Sequence, residues 1–378
     1  ERIRGEATTD WDDTIAAERF TDTGGRLIRG TARLIAPRTV QVGDQQIRAR
    51  RAVILNTGTN PAVPPIPGLA EAPYWTNRDA LRATEAPASM VVLGGGPIGV
   101  ELAQAFSRFG TQVQIVEAAE RILTAEEPQA SQVLTDALEA DGIEVHTGTA
   151  VQEVRTEGDG VTVQMRSRDL HAERLLVAAG RTTGLDRLGL ETVGLEPSAH
   201  TLDVDEYCRV RGSDGEVLAD LYAIGDVTGR GPFTHMSVYQ AQVALGHLTG
   251  TGTYAAEYHA VPRVTFTEPE VGAVGMTRAQ AEQRDIPVRV ATAELPSSPR
   301  GWIHSEGNSG FITLVGHTES GVLLGATSVG PTGGEVLSML TLAVDQGVTV
   351  PALATMIYAY PTFHRAVLTA AQQWQDDA

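Results

Sequence analysis

The sequence predicts an α/β protein built on a parallel sheet, with a separate α+β domain at its C-terminal end. Three observations carry this. Met90-Val91-Val92-Leu93 is a continuously apolar run, the pattern of a strand buried on both faces of a parallel sheet. A glycine turn follows it, then apolar residues at helical spacing (Val100, Leu102, Ala103, Ala105, Phe106) and a second apolar run at 113–116, a β-turn-α-β order. After His259-Ala260-Val261-Pro262 the character shifts, and a new set of strands alternates with helices.

In chain order, residues 23–58 read as short strands separated by turn residues. They fall at 27–34, 40–42 and 47–50, followed by the apolar run 52–55 that stops at Asn56-Thr57-Gly58. The proline-rich stretch 61–68 is stiff and extended, and suits a crossing between domains. Beyond the β-turn-α-β unit at 89–117, a helix is expected at 127–141 and strands at 143–155, 161–166 and 174–179. From about residue 186 the chain changes role and runs through Leu221-Tyr222-Ala223-Ile224 into Gly225-Asp226, before a helix across 238–248. In the last part, strands are expected at 264–266, 288–290 and 311–315, with helices at 277–283, 334–345 and 351–357.

Composition narrows the function. The 378 residues carry a net charge of −18, and an acidic surface repels phosphate backbones, so no nucleic-acid partner is expected. All 29 basic residues are arginines, which removes lysine Schiff-base chemistry. The one cysteine, Cys208, cannot form an intramolecular disulfide or a four-ligand zinc site, and reads as a buried or half-buried strand residue; no metal site is expected. No apolar run of about 18 residues appears, so no membrane partner is expected. The first residues do not read as a signal peptide, and the expected location is cytoplasmic.

The turn Gly94-Gly95-Gly96-Pro97-Ile98-Gly99 satisfies G-x-G-x-x-G. Gly94 allows a tight exit from the strand, Gly96 lets backbone approach a pyrophosphate, and Gly99 lets helix and strand pack closely. The pyrophosphate would then sit on free N–H groups at a helix N-terminus. Glu117 lies 18 positions after Gly99, at the end of the second strand. A carboxylate there accepts from ribose hydroxyls and repels a 2′-phosphate, which favours NADH over NADPH. Glu101 sits on the first turn of the helix, either as a charge favoured at that end or as a group facing a nicotinamide. Gly225-Asp226 ends an apolar strand and projects a carboxylate where α/β proteins bind ligands, although in isolation Gly-Asp is only a turn.

Together these motifs are more specific than any one alone. Asn56-Thr57-Gly58, the segment 94–101, Ala178-Ala179-Gly180-Arg181, the segment 223–227, the segment 262–272 and Tyr358-Ala359-Tyr360-Pro361-Thr362 occur in one order. The whole chain thereby resembles the pyridine-nucleotide-disulfide oxidoreductases, whose members include dihydrolipoamide dehydrogenase, mercuric reductase and soluble transhydrogenase. The resemblance implies two Rossmann-like nucleotide-binding domains, for FAD and NAD, and a C-terminal α+β dimerisation domain that makes a homodimer. The implied division is 1–68 as a remnant of the FAD-binding domain, 69–185 as the NAD-binding domain, 186–256 as the second part of the FAD-binding domain and 257–378 for dimerisation. Asp226, beside Gly225, would bind the ribityl chain of FAD, with Thr57 and Gly58 nearby. Thr234 and His235 would pass the isoalloxazine by backbone contacts. Gly180 would join the NAD site, and Glu101 would contact the nicotinamide.

Two departures bear on the acceptor. Family members carry, ahead of the part matched here, a first glycine fingerprint for FAD and a C-x-x-x-x-C redox pair; neither occurs in this sequence, and a missing N-terminal segment is expected. Dithiol-handling members have His-Pro near the C-terminus and a Glu five residues after that His. Here the pair is Tyr360-Pro361, with Arg365 in place of the Glu. A phenol with a pKa of about 10 is a poor proton shuttle at neutral pH, so ordinary dithiol turnover is not expected. Tyr360 and Glu101 are the catalytic candidates, with His364 a substitute base. The expected function is an FAD-dependent oxidoreductase that takes a hydride from NADH. Its small-molecule electron acceptor would be a quinone, a metal ion, a disulfide or another nicotinamide. The rival of a different class is a non-catalytic NADH-binding sensor or assembly subunit on the same fold.

Overall fold

The apolar run at 90–93 demands burial on both sides, and it receives it. In the computed structural model, which describes residues 2–252 and 254–376, the strand Ser89–Leu93 is central in a five-stranded parallel sheet. The strand order is Tyr74–Trp75, Arg174–Val177, Ser89–Leu93, Gln112–Val116 and Glu144–His146. Val92 lies opposite Leu176 on one side and Ile115 on the other. The helix Pro97–Arg108 opens on a proline whose missing N–H is not needed there, and buries Val100, Ala103 and Phe106. Pro128–Ala140 opens the same way and buries Ala130, Leu134 and Leu138.

The strand expected at 143–155 breaks in two. Gly148 takes a left-handed φ of +62°, and the chain resumes as Val151–Glu157 in a separate antiparallel sheet with Gly160–Met165 and Asp169–Ala172. That small sheet packs Val154, Val161 and Val163 against Val91 and Leu93 of the central strand.

Contacts divide the chain into two compact units: Glu1–Asn60 with Arg181–Glu257, and Pro61–Gly180 with Tyr258–Ala378. The second unit contains the parallel sheet and a five-stranded antiparallel sheet in the order Arg263–Thr265, Glu270–Gly275, Leu323–Gly330, Phe311–His317, Val288–Glu294. Gly333–Asp345 and Arg365–Asp376 cover that sheet with Leu337, Leu340, Val367 and Trp374. Val271, Phe311 and Val329 of the antiparallel sheet share one apolar cluster with Ala103, Phe106 and Leu134 of the helices Pro97–Arg108 and Pro128–Ala140, which binds both segments into one unit.

In the first unit, Val53–Leu55 runs parallel to Val217–Ala223, and Arg209–Arg211 pairs antiparallel on the other side. The helix Thr234–Thr249 packs against this sheet with Val243 and Ala244, and starts four residues before the expected 238. Ala32–Ala36, Thr39–Val42 and Gln45–Arg48 form their own antiparallel sheet. The first of these was expected from residue 27, but Gly30 at a φ of +146° delays its start. Cys208 is fully buried, though not in a strand. It occupies a left-handed turn (φ +64°) just before Arg209–Arg211, its N–H bonded to Asp205 O. Among the described residues no helix is long and apolar enough to cross a membrane.

Candidate functional site

The glycine turn lies at the carboxyl end of the central strand, and the three glycines of the G-x-G-x-x-G pattern do different work. A Cβ on Gly94 would stand 2.5 Å from Ala178 O, so the turn presses against the segment leading to Gly180. Ala178 N–H donates to Leu93 O, and Gly180 O accepts from Ala62 N–H. A Cβ on Gly99 would stand 2.0 Å from Gly94 O, so helix and strand touch through bare backbone. Gly96 is the contrast: a Cβ there would meet nothing within 4 Å. The first intrahelical bond runs from Val100 N–H to Gly96 O, so the N–H groups of Ile98 and Gly99 end the helix without intrahelical acceptors. An open space faces a helix N-terminus lined by backbone donors, which fits a diphosphate.

Glu117 braces this turn. Its Oε2 accepts from Gly95 N–H at 2.7 Å and its Oε1 from Ala119 N–H at 2.8 Å. Each oxygen retains a lone pair for a ribose hydroxyl. The cation of the same loop, Arg121, is committed to Leu123 O, Thr124 O, Glu126 O and Ser131 Oγ. The bracing role was not evident from the motif, which marks only the ligand side of this carboxylate.

Glu101 reaches the antiparallel part of the same unit: Phe266 N–H donates to its Oε1 at 2.8 Å. Burial raises the Glu101 pKa above its ordinary value, and the Phe266 bond opposes that. Three residues along, the buried Gln104 accepts from Glu268 N–H at 2.8 Å and donates to Glu268 O at 2.9 Å. Arg108 pairs with Glu268 as well, at 2.5 Å. The helix Pro97–Arg108 is therefore clasped along one face by the segment 266–268. Gln104 has no signal in the sequence, because a glutamine on a helix is ordinarily a solvated residue.

In the first unit, Gly225 leaves Val217–Ala223 with a φ of +74°, and a Cβ would stand 2.6 Å from Asn56 Oδ1. Gly225 N–H donates to Oε1 of the fully buried Gln240 at 2.6 Å, and Gly225 O accepts from the Thr228 hydroxyl at 2.8 Å. The next residue, Asp226, accepts at Oδ2 from the Thr59 hydroxyl at 2.7 Å and from Arg181 Nη2 at 3.1 Å. Arg181 also donates through Nε to Thr59 Oγ1. Among the described residues no donor reaches Asp226 Oδ1, which leaves a mostly buried carboxylate with one oxygen ready to accept. Thr57 and Gly58 follow Val53–Leu55, whose Leu55 O accepts from Ile224 N–H. Gly58 takes a φ of +66° with open space where a side chain would be. Thr234 and His235 open the helix Thr234–Thr249 and are exposed, with the His235 ring stacked on Phe233 at 5.1 Å. A polyol donating to Asp226 beside these bare backbone groups fits the arrangement.

The C-terminal candidates stand elsewhere in the second unit. Tyr360 is 67% exposed, with the Arg365 guanidinium 5.2 Å from its ring centroid. His364 is half-buried just before the helix Arg365–Asp376. Among the described residues neither ring hydrogen-bonds to Glu101 or to the glycine turn. No cluster of His, Cys, Asp and Glu among the described residues is arranged to hold a metal ion.

This geometry can be set beside known proteins. Residues 16–246 match the family profile of the pyridine nucleotide-disulphide oxidoreductases, and residues 261–371 match the dimerisation domain of the same family. The chain belongs to this family. Its members bind FAD and NAD(P). The mercuric reductase of Staphylococcus aureus is 30% identical over 367 residues, 94% of this chain and 64% of that protein. The dihydrolipoyl dehydrogenase of Haloferax volcanii is 34% identical over 365 residues, 92% of this chain and 74% of that one. Among solved structures, the HOCl-induced flavoprotein disulfide reductase RclA from Escherichia coli superposes with a TM-score of 0.83 at 26% identity, covering 94% of this chain and 81% of RclA. The chain spans 64% and 56% of the mercuric reductases of Staphylococcus aureus and Bacillus cereus that it resembles.

Proposed function

We propose that this protein is an FAD-dependent oxidoreductase that oxidises NADH and passes the electrons to a small-molecule acceptor. When bound, dihydronicotinamide supplies a hydride and flavin supplies the two-electron relay. The observation that carries the reading is the pairing of two ligand-ready features: an open diphosphate seat at Gly96, and an Asp226 carboxylate held by Thr59 and Arg181 with one oxygen to spare.

The residues have distinct tasks under this reading. Gly94, Gly96 and Gly99 shape the seat, and Gly180 lies beside it at the end of the neighbouring strand. Glu117 holds the turn and offers acceptors to ribose hydroxyls; with Arg121 committed to carbonyl and hydroxyl oxygens, the loop has little to offer a 2′-phosphate. NADH is therefore the preferred nicotinamide. Glu101, fixed by Phe266, faces the nicotinamide. Asp226 orients the ribityl chain, with Gly225, Thr57, Gly58, Thr234 and His235 giving backbone approaches. Tyr360 serves the acceptor side, with His364 beside it as a weaker candidate for proton transfer. The first unit is the flavin-binding part, 61–180 the NADH-binding part, and the C-terminal segment the interface of a homodimer working in the cytoplasm. The test is cofactor identity: full-length protein purified without added flavin should release FAD on denaturation. A preparation that neither carries FAD nor takes it up would leave the non-catalytic NADH-binding reading in its place.

A further inference from the structure

The aromatic rings of the segment 360–365 hold two guanidinium groups, Arg365 of the segment itself and Arg300 of another helix. The Arg365 guanidinium lies over the Tyr360 ring, 5.2 Å from its centroid. Arg300 lies over the Phe363 ring at 5.3 Å, and His304 packs edge-on against the same ring at 5.7 Å. Arg300 and His304 are four residues apart on the short helix Pro299–His304, so one face of it carries both toward Phe363. Phe363 and Arg365 are two residues apart, a Cα separation of at most about 7 Å. Both guanidinium groups are thus anchored to one six-residue segment.

Their partners are what matters. Arg300 and Arg365 are half-buried, and among the described residues neither forms an ion pair or a hydrogen bond through its guanidinium. The chain holds 47 acidic residues against 29 arginines, so carboxylates are not scarce. An aromatic face holds the plane of a guanidinium by its quadrupole, but it uses none of the five N–H donors at the edge. Those donors match a planar oxyanion, which they bind in bidentate fashion. Beside Arg365, Tyr360 exposes most of its ring as a flat, partly apolar surface.

We propose that Arg300, Arg365 and Tyr360 form a binding site for a planar aromatic anion, a quinone that carries a sulfonate or carboxylate group. Resting on the reading given under Proposed function, this anion is the electron acceptor: its quinone ring takes two electrons and two protons from the reduced flavin and leaves as the hydroquinone. Guanidinium edges grip the oxyanion while the Tyr360 ring covers the aromatic body. Arg300 and Arg365 act in binding only and move no proton.

The experiment uses the flavin-loaded protein and two readouts. Calorimetry measures binding of naphthalenesulfonate, which is redox-inert, to wild type, Arg300→Gln and Arg365→Gln, with neutral naphthalenemethanol as control. Steady-state turnover with NADH then compares a sulfonated naphthoquinone with its uncharged parent. Wild type should bind the sulfonate, each variant should weaken it about tenfold, one charge-assisted contact's worth, and the neutral control should not respond. In turnover, the variants should raise KM for the sulfonated quinone while leaving its kcat and the neutral quinone unchanged. Equal sulfonate binding by all three proteins overturns the site. So does conversion of a dimer to monomers by either variant, because the arginines then serve a second copy of the chain. If the sulfonate binds as expected but NADH never reduces the flavin, the site stands and the oxidoreductase reading fails.

Discussion

Replacing Gly96 and Gly99 separately with alanine divides ligand binding from packing, because the two positions differ in the space before them. At Gly96 the backbone has a φ of −76° and ψ of 177°, allowed to any residue, and an added Cβ meets nothing within 4 Å. Two small effects on stability oppose each other. Alanine restricts the unfolded chain, a gain of about 0.4–1 kcal/mol, and is a poorer N-cap than glycine by a similar amount. Gly96→Ala should therefore keep its Tm within about 2 °C of wild type. Its methyl group, however, stands in the open space proposed for the diphosphate and would block a close approach to the backbone donors. Losing one hydrogen bond to a charged group costs about 1.5–3 kcal/mol, or about a 10- to 100-fold rise in the NADH Kd. Gly99→Ala is the opposite case. Its Cβ would lie 2.0 Å from Gly94 O, so helix and strand must separate, a cost of about 1–3 kcal/mol or more. A fall of several degrees in Tm should precede any question of affinity. Calorimetric NADH titrations and thermal melts on both variants decide it. Wild-type affinity in Gly96→Ala, or wild-type stability in Gly99→Ala, would refute the assignment of seat and packing contact.

Three further outcomes follow from the same contacts. Glu117→Gln replaces one carboxylate oxygen by a donor facing Gly95 or Ala119 N–H; NADH affinity should fall about tenfold and discrimination against NADPH should narrow, read by paired titrations. Arg181→Met leaves Asp226 with only the Thr59 hydroxyl, so FAD should dissociate about tenfold more readily, measured by flavin fluorescence; in an Asp226→Ala background it should add nothing, since Arg181 acts through that carboxylate. Burial raises the Glu101 pKa above 4.5, so the folded state holds that proton more tightly than the unfolded chain. The resulting stability is present below the unfolded pKa and lost as pH rises through the folded one. Glu101→Gln keeps an acceptor for Phe266 N–H without the charge; it should melt about 1–2 °C above wild type at neutral pH, and the difference should vanish below about pH 4.

Much of the fold was legible in local pattern. The strand at 89–93, the helix after it and Gln112–Val116 follow from one apolar run, three glycines and a helical stripe, each with a single structural solution. The reading failed where tertiary contacts rather than periodicity decide. Gly148 splits an apolar stretch between two sheets, and Cys208 sits in a left-handed turn that no propensity favours. The C-terminal helix Arg365–Asp376 was within reach, since Ala366, Val367, Ala370, Ala371 and Trp374 repeat at helical spacing and are all buried. The site was legible as motifs and not as contacts. Glycines and acidic residues announce a nucleotide, but the clasp of Gln104 on Glu268 and the arginine–threonine hold on Asp226 join residues more than a hundred positions apart in three of their four bonds. Nothing local encodes such pairs.

The glycine seat and the Asp226 carboxylate belong to one catalytic protein only if a nicotinamide reduces a flavin bound to it. Anaerobic titration of the flavin-loaded protein, followed in the visible band, tests this directly. One equivalent of NADH should bleach the flavin absorbance, with NADPH much slower, and an added acceptor should restore it. An absorbance that stays constant under excess NADH, in protein shown to bind both cofactors, would contradict the account.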